Sequence, residues 1–505
     1  MMGDPIYWTL GYFLIAVISL LSLLYRYFSS VYKYFEIRGI PYEPPIFAFG
    51  SLWPVLSLKK SYNDLIYDMY KKYKKEKIVG IFQFSKKSVL IIDRDLLRKV
   101  LVKDFEYFDD KSLHYNKELE PLTAHLFSLG GYEWKVLRTK LTPTFSSSKL
   151  KGMFQAVIDN AHKLKEYVSK KILKTEELEC KSTCLRFGLA VISSTAFGLD
   201  IDIVTEKAST FFKMAETVFA PTLGGMFRNS LWFYAGFIAK TFNLRIIPKK
   251  THDFFFNLVK DTVHYRETHG TTRNDLLQLL IQLKQGAKFG GEDVSITLEE
   301  LAAQSYVFIL GGFETTSNAM SFFLYEMAMN PEVQERVHAE VDAVDEITYD
   351  TLAGMEYLEM ALDELFRVHS QLGFLNRTCT KDYQVPGTDY VIEKGTEVLV
   401  SVQGLHKDPE LFPEPERFIP ERFSKENKGK IKPFSYMPFG EGPRYCIGKR
   451  FAKLMVKAGL AILMKRFSVE TSPRTPNPMR YDPRGLTLAA AGGIWLRLVD
   501  RQRIQ

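Results

Sequence analysis

Hydropathy divides the chain into three unequal parts. From Pro5 to Tyr25 there is no charged residue, and a helix of that length, at 1.5 Å per residue, crosses a hydrocarbon core of about 30 Å. No basic residue precedes the run and no small-x-small cleavage site follows it, which weighs against a removable signal peptide. Asp4 lies before it and Arg26, Lys33 and Arg38 after it, so the positive-inside rule puts the N-terminus in a lumen and the rest of the chain in the cytosol. Gly39-Ile40-Pro41-Tyr42-Glu43-Pro44-Pro45 follows as a stiff, proline-rich stretch. Ile78 to Phe84 and Ser88 to Ile92 are rich in β-formers and predict a hairpin. From about Trp134 helical periodicity dominates. Its clearest stretch starts at the capping box Thr297-Leu298-Glu299-Glu300 and stays apolar until Asn330-Pro331, predicting one helix of roughly 30 residues and about 45 Å. The pattern thus divides the chain into an anchor over residues 1–30, a linker over 31–45 and a mainly helical body over 46–505.

Composition adds constraints. A body of this size exceeds the usual single core, yet no Gly/Ser-rich linker or repeat divides it. The formal net charge of +8 comes from lysines and arginines spread along the chain among acids, a pattern that argues against nucleic-acid binding. The four cysteines, Cys180, Cys184, Cys379 and Cys446, are too few and scattered for a disulfide framework. Cys180 and Cys184 stand one helical turn apart with no further Cys or His pair nearby, which favours packing over metal binding.

Two places break the local rules. Inside the long apolar helix sits Gly311-Gly312-Phe313-Glu314-Thr315-Thr316, where glycines and β-branched residues weaken the helix and an acid would be buried; such violations are expected where function resides. The second is Phe439-Gly440-Glu441-Gly442-Pro443-Arg444-Tyr445-Cys446-Ile447-Gly448. Gly442 and Gly448 allow a tight turn and close approach to a flat cofactor, backbone N–H groups in such a turn favour a thiolate, and Arg444 can meet a carboxylate. Glu364 and Arg367 share one helix face and can form an ion pair.

The cysteine loop matches F-x-x-G-x-R-x-C-x-G, the haem loop of the cytochrome P450 family, and the chain resembles that family along nearly its whole length. The resemblance implies a mainly α fold with small β-sheets, the P450 fold, preceded by a single N-terminal transmembrane helix. It makes Cys446 the axial ligand of haem b iron, within a loop that includes Phe439, Gly442, Arg444 and Gly448. It directs Trp134, Arg138 and Arg377 to the haem propionates. Glu314 and Thr315 become the acid–alcohol pair that delivers protons to dioxygen. Glu364, Arg367 and Arg422, the last from the second of two P-E-R-F segments, become a structural brace. One departure is His369-Ser370-Gln371, where the family usually has a proline pair after Arg367.

The phrasing of Phe308 to Ser317, Leu375 to Tyr383 and Met437 to Phe451 is most similar to insect family-6 members. That implies a microsomal monooxygenase of lipophilic small molecules, xenobiotics or hormones, on the endoplasmic reticulum membrane with its catalytic domain cytosolic. Electrons would come from NADPH through cytochrome P450 reductase, with cytochrome b5 as a second candidate partner. Lys449, Arg450, Lys453, Lys457, Lys135 and Lys140 offer a basic face for such a partner. Substrate contacts are expected around Leu113 to Leu126, Phe211 to Pro248, Phe308, Leu372 to Leu375 and Leu486 to Leu488. Two alternatives from other classes are a haem-thiolate isomerase or dehydratase acting on peroxides without a reductase, and a non-catalytic haem-binding sensor. Intact Glu314 and Thr315 argue against both.

Overall fold

A computed structural model describes residues 5–203, 210–219, 222–233, 236–286, 288–289, 292–293, 295–485 and 487–503. Two hydrophobic cores organise it, one within a small sheet and one among the helices. The predicted hairpin forms as β1 (Ile78–Gln83) and β2 (Lys86–Ile91), paired from Ile78↔Ile91 to Gln83↔Lys86. Residues far along the chain complete its sheet. With β3 (Leu178–Glu179) belonging elsewhere, β5 (Glu397–Ser401) lies parallel to β2, and β4 (Phe374–Thr378) lies antiparallel to β5. A second sheet joins β6 (Phe467–Thr471), β7 (Trp495–Asp500) and β3.

The apolar N-terminal run forms α1 (Pro5–Tyr32), and the 30-residue segment Trp8–Ile37 is long and apolar enough to span a membrane. Its C-terminal end is packed into the sheet side of the body. Phe28 stands 5.4 Å edge-on from Phe47, Tyr32 lies 5.0 Å from Phe82, and the Tyr32 hydroxyl accepts from the Gly50 N–H at 3.1 Å. Phe35 is fully buried 4.8 Å from Phe82, and a Cβ on Gly80 would meet its ring at 2.5 Å. The proline-rich stretch therefore begins from a seated position.

Three helices precede the long run: α2 (Gly131–Leu141), α3 (Ser147–Lys171) and α4 (Cys180–Ile192). Cys180 and Cys184 are fully buried in the core. The long run, predicted as one helix, is two: α5 (Leu298–Gly312), opened by the predicted Thr297/Glu300 capping box, and α6 (Glu314–Met329). The break falls at Phe313, whose N–H reaches the Ile309 carbonyl at only 3.4 Å. Gly311 and Gly312 supply too little helix propensity to hold the ladder there. After it come α7 (Glu356–Val368) and α8 (Lys449–Arg466), the helix that leads away from the cysteine loop.

Candidate active site

Cys446 heads a turn made by Gly440 and Gly442, at φ +72° and +74°. A Cβ on Gly442 would meet the Leu101 carbonyl oxygen at 1.8 Å, so only glycine fits. The turn is closed by Tyr445 N–H donating to the Gly442 carbonyl (3.0 Å) and Cys446 N–H donating to Phe439 (2.8 Å). Phe439 is fixed edge-on against Phe366 at 5.0 Å. Gly448, expected to share the turn, has an ordinary φ of −85° and sits as the cap of α8. Its contribution is the backbone N–H that lowers the thiol pKa. Burial outweighs this and pushes the thiol up, with Arg138, Lys111 and Lys449 also pulling it down. Cys446 is nevertheless exposed. Deep placement and an accessible sulfur are compatible if Sγ faces an internal space.

Cations with no ion-pair partner among the described residues gather beside it. Arg444 donates to the Asp109 carbonyl (2.9 Å) and the Leu129 carbonyl (2.6 Å), with its guanidinium 4.3 Å above the buried Trp134 ring. Arg377 donates to the Asn376 carbonyl at 2.7 Å while its Nε, fully buried, has no partner. Arg138 lies 4.7 Å over the Tyr445 ring. Burial lowers Arg377 to about 10 and Arg444 to about 9, repulsion from Arg377 adding to the latter. Lys111, which sequence reasoning missed, joins them. Its ammonium sits 3.5 Å over Phe127, and burial plus repulsion from Arg377 and Arg444 pulls it well below the usual lysine value. None of the four has an ion-pair partner among the described residues. Buried and partly buried cations require compensation, so the arrangement suits a planar group bearing two carboxylates, which haem b is.

The brace is closed by contrast. Arg367 forks onto Glu364 with both bonds at 2.7 Å and spends its remaining donors on the carbonyls of His406, Pro415 and Arg417. Arg422 reaches Glu364 at 3.2 Å. Arg417, from the first P-E-R-F segment, is exposed and pairs with Glu414. The sequence His369-Ser370 replaces prolines with hydrogen bonds. His369 lies 2.6 Å from Glu326 and 3.1 Å from the Tyr481 hydroxyl, and Ser370 meets His406 at 2.7 Å.

At the Phe313 break, Glu314 is buried and ion-paired with Lys181 of α4 at 2.8 Å, a partner with no local sequence signal. Thr315 donates to the Gly311 carbonyl at 2.7 Å. A cavity of about 190 Å³ runs along this face, lined by Tyr306, Leu310 and Glu314 at four-residue spacing. Of the expected substrate segments, His125, Trp232, Ile247 and Thr487 line it. Phe308 does not; it is buried edge-on against Phe145 at 5.7 Å. Leu372 to Leu375 are also absent from the lining, and Leu486 lies outside the described residues. The basic face is smaller than expected, because Lys453 and Lys457 turn inward to Glu359, with Lys453 also meeting Asp363. Lys449, Arg450 and Lys135 are exposed.

A cysteine turn bordered by cations that have no ion-pair partner among the described residues thus sits on a mainly helical fold with small sheets. The chain belongs to the cytochrome P450 family, whose model matches residues 40–497. It is 38% identical to probable cytochrome P450 6a14 of Drosophila melanogaster, covering 96% of this chain and 99% of that one. It is 36% identical to cytochrome P450 6A1 of Musca domestica (97% and 98%) and 34% identical to cytochrome P450 6B2 of Helicoverpa armigera (97% and 98%). It is therefore a membrane-anchored monooxygenase whose family uses haem b, with electrons from NADPH through a reductase.

Proposed function

We propose that the chain inserts one atom of dioxygen into lipophilic small molecules, xenobiotics or hormones, by hydroxylation or epoxidation. The observation that carries this is the cluster of Lys111, Arg138, Arg377 and Arg444, without an ion-pair partner among the described residues, beside the accessible Cys446 thiol. Cys446 Sγ would bind the iron, and the four cations would hold the two propionates by charge-assisted bonds. Trp134 keeps the Arg444 guanidinium in place by stacking. Bound haem with a thiolate ligand supplies dioxygen activation.

The residues of the Phe313 break govern protons. Thr315, by letting go of the Gly311 carbonyl, presents its hydroxyl as a donor, and Glu314, once its carboxylate leaves Lys181 and takes up a proton from solvent, restores the proton that Thr315 gives away. Lys181 thus acts as a positioning residue for Glu314. The chain would sit in the endoplasmic reticulum membrane through residues 1–30, with 31–45 leading into a cytosolic catalytic domain over 46–505. NADPH–cytochrome P450 reductase is its electron donor, and cytochrome b5 a second candidate.

Reconstitution with that reductase under ¹⁸O₂ tests the reading. One labelled atom per product, strictly NADPH-dependent, is expected. Turnover without NADPH would replace the reading with an isomerase or dehydratase, and haem binding without any turnover would replace it with a sensor.

A further inference from the structure

Around the cavity beside Glu314, the charges cancel in pairs with one left over. Lys181 meets Glu314 at 2.8 Å, and Arg484 meets Asp482 at 2.6 Å. Burial holds His125 neutral, lowering its pKa to about 3. Glu120, a nearby buried carboxylate, commits its two oxygens to the backbone N–H groups of Ile246 (2.8 Å) and Ile247 (2.9 Å) and faces the charge of Arg245. Arg228 remains. It lines the cavity and has no ion-pair partner among the described residues. Gly224, one turn earlier, leaves its guanidinium room; a Cβ there would come within 3.3 Å of Nη1.

A second donor stands near it. Tyr306, buried on the face that carries Leu310 and Glu314, has no hydrogen-bond partner for its hydroxyl among the described residues. Burial and the Glu120 charge push its phenol well up, while Arg228 pulls it down, so the hydroxyl stays protonated at neutral pH. Val218, Ile246, Pro248 and Leu310 supply apolar wall. A partly buried cation and a free hydroxyl against an apolar wall are complementary to an anionic oxygen group on a hydrocarbon body.

We propose that this cavity selects lipophilic carboxylates, with the acid group seated on Arg228 and Tyr306 and the apolar body lying along Leu310 toward Thr315. The selection deepens the monooxygenase reading and rests on it for the fate of the apolar end, but the binding step itself does not depend on it.

The test is equilibrium dialysis of the full-length, haem-loaded protein at neutral pH with two matched pairs: tetradecanoic acid and its methyl ester, and 6-phenylhexanoic acid and its methyl ester. The wild type should hold at least one acid about tenfold tighter than its ester, the size expected for one charge-assisted bond. Arg228→Gln should erase that preference with ester affinity unchanged, which also shows that the variant is folded, and Arg228→Lys should keep part of it. A preference confined to the chain acid marks a lipid-derived ligand, and one confined to the ring acid an aromatic ligand. Equal affinity for acid and ester in the wild type, or an undiminished preference in Arg228→Gln, overturns the proposal. Failure of the thiolate reading would look different: acid selectivity would persist while the ferrous carbonyl complex lacked its red-shifted Soret band.

Discussion

Two arginine clusters, one built around the buried Arg367 and one around the buried Arg377, differ in one respect. Around Glu364, every strong donor of Arg367 ends on a protein acceptor, and Arg422 adds a second cation to the same carboxylate. Around Cys446, Arg377 keeps an unpartnered Nε and Arg138, Arg444 and Lys111 form no ion pair among the described residues. The first cluster is complete as folded. The second leaves donors over for a ligand, so under the proposed function satisfaction of charge is what would separate a structural arginine from a cofactor-binding one where residue type does not.

The comparison breaks most completely at sulfur. Cys446→Ser should abolish the red-shifted Soret band of the ferrous carbonyl complex and all NADPH-dependent product formation; a retained band would remove Cys446 as ligand. Next in size is the contrast between the clusters themselves. Glu364→Ala strands the buried Arg367 and the partly buried Arg422 and should lower the unfolding free energy by about 3–5 kcal/mol. Arg377→Gln should leave polypeptide unfolding in denaturant nearly unchanged while speeding haem transfer to an acceptor globin. Equal effects of the two variants on both readouts would erase the distinction. Thr315→Ala should retain haem and NADPH oxidation but lower product per NADPH about tenfold or more, with hydrogen peroxide as the alternative product.

The smallest effect at neutral pH belongs to His406, in the closed region. It is fully buried, accepts the Met437 N–H at 3.0 Å through Nε2 and holds Ser370 through Nδ1. Burial, with Arg367 repelling a second charge, lowers its pKa to about 3. The folded state therefore binds fewer protons than the unfolded chain between pH of about 6.5 and about 3, and stability is lost as pH falls through that window. His406→Gln should flatten this acid limb by about 1.4 kcal/mol per pH unit, read from denaturant midpoints between pH 7 and about 5. An unchanged slope would mean that another group carries it.

Much of this site was legible because its signals are local. The cysteine loop, the Glu364/Arg367 spacing, the Thr297 capping box and the hairpin each depend on neighbours within a few residues. What the sequence hid depends on contacts across the chain. Lys181 meets Glu314 from 133 residues away, and Lys111 is recognisable only once Arg377 and Arg444 stand beside it. Lys453 and Lys457 looked like surface charges because a helix face is not assigned inward or outward by composition; Glu359 assigns it. The weak point at Gly311 and Gly312 was visible in the sequence; that the break falls at Phe313 and divides the run into two helices is set by the structure.

The seating of Tyr32 and Phe35 against Phe82 has a mechanical meaning. A loosely tethered domain would ignore the angle of its anchor, but a socketed one inherits it. Tilting is one way a hydrophobic helix meets a change in bilayer thickness, so moving this protein between thinner and thicker membranes should tilt the catalytic body with its anchor. Lipid composition would thereby act as a steering input on how the body meets its substrates and its electron donor.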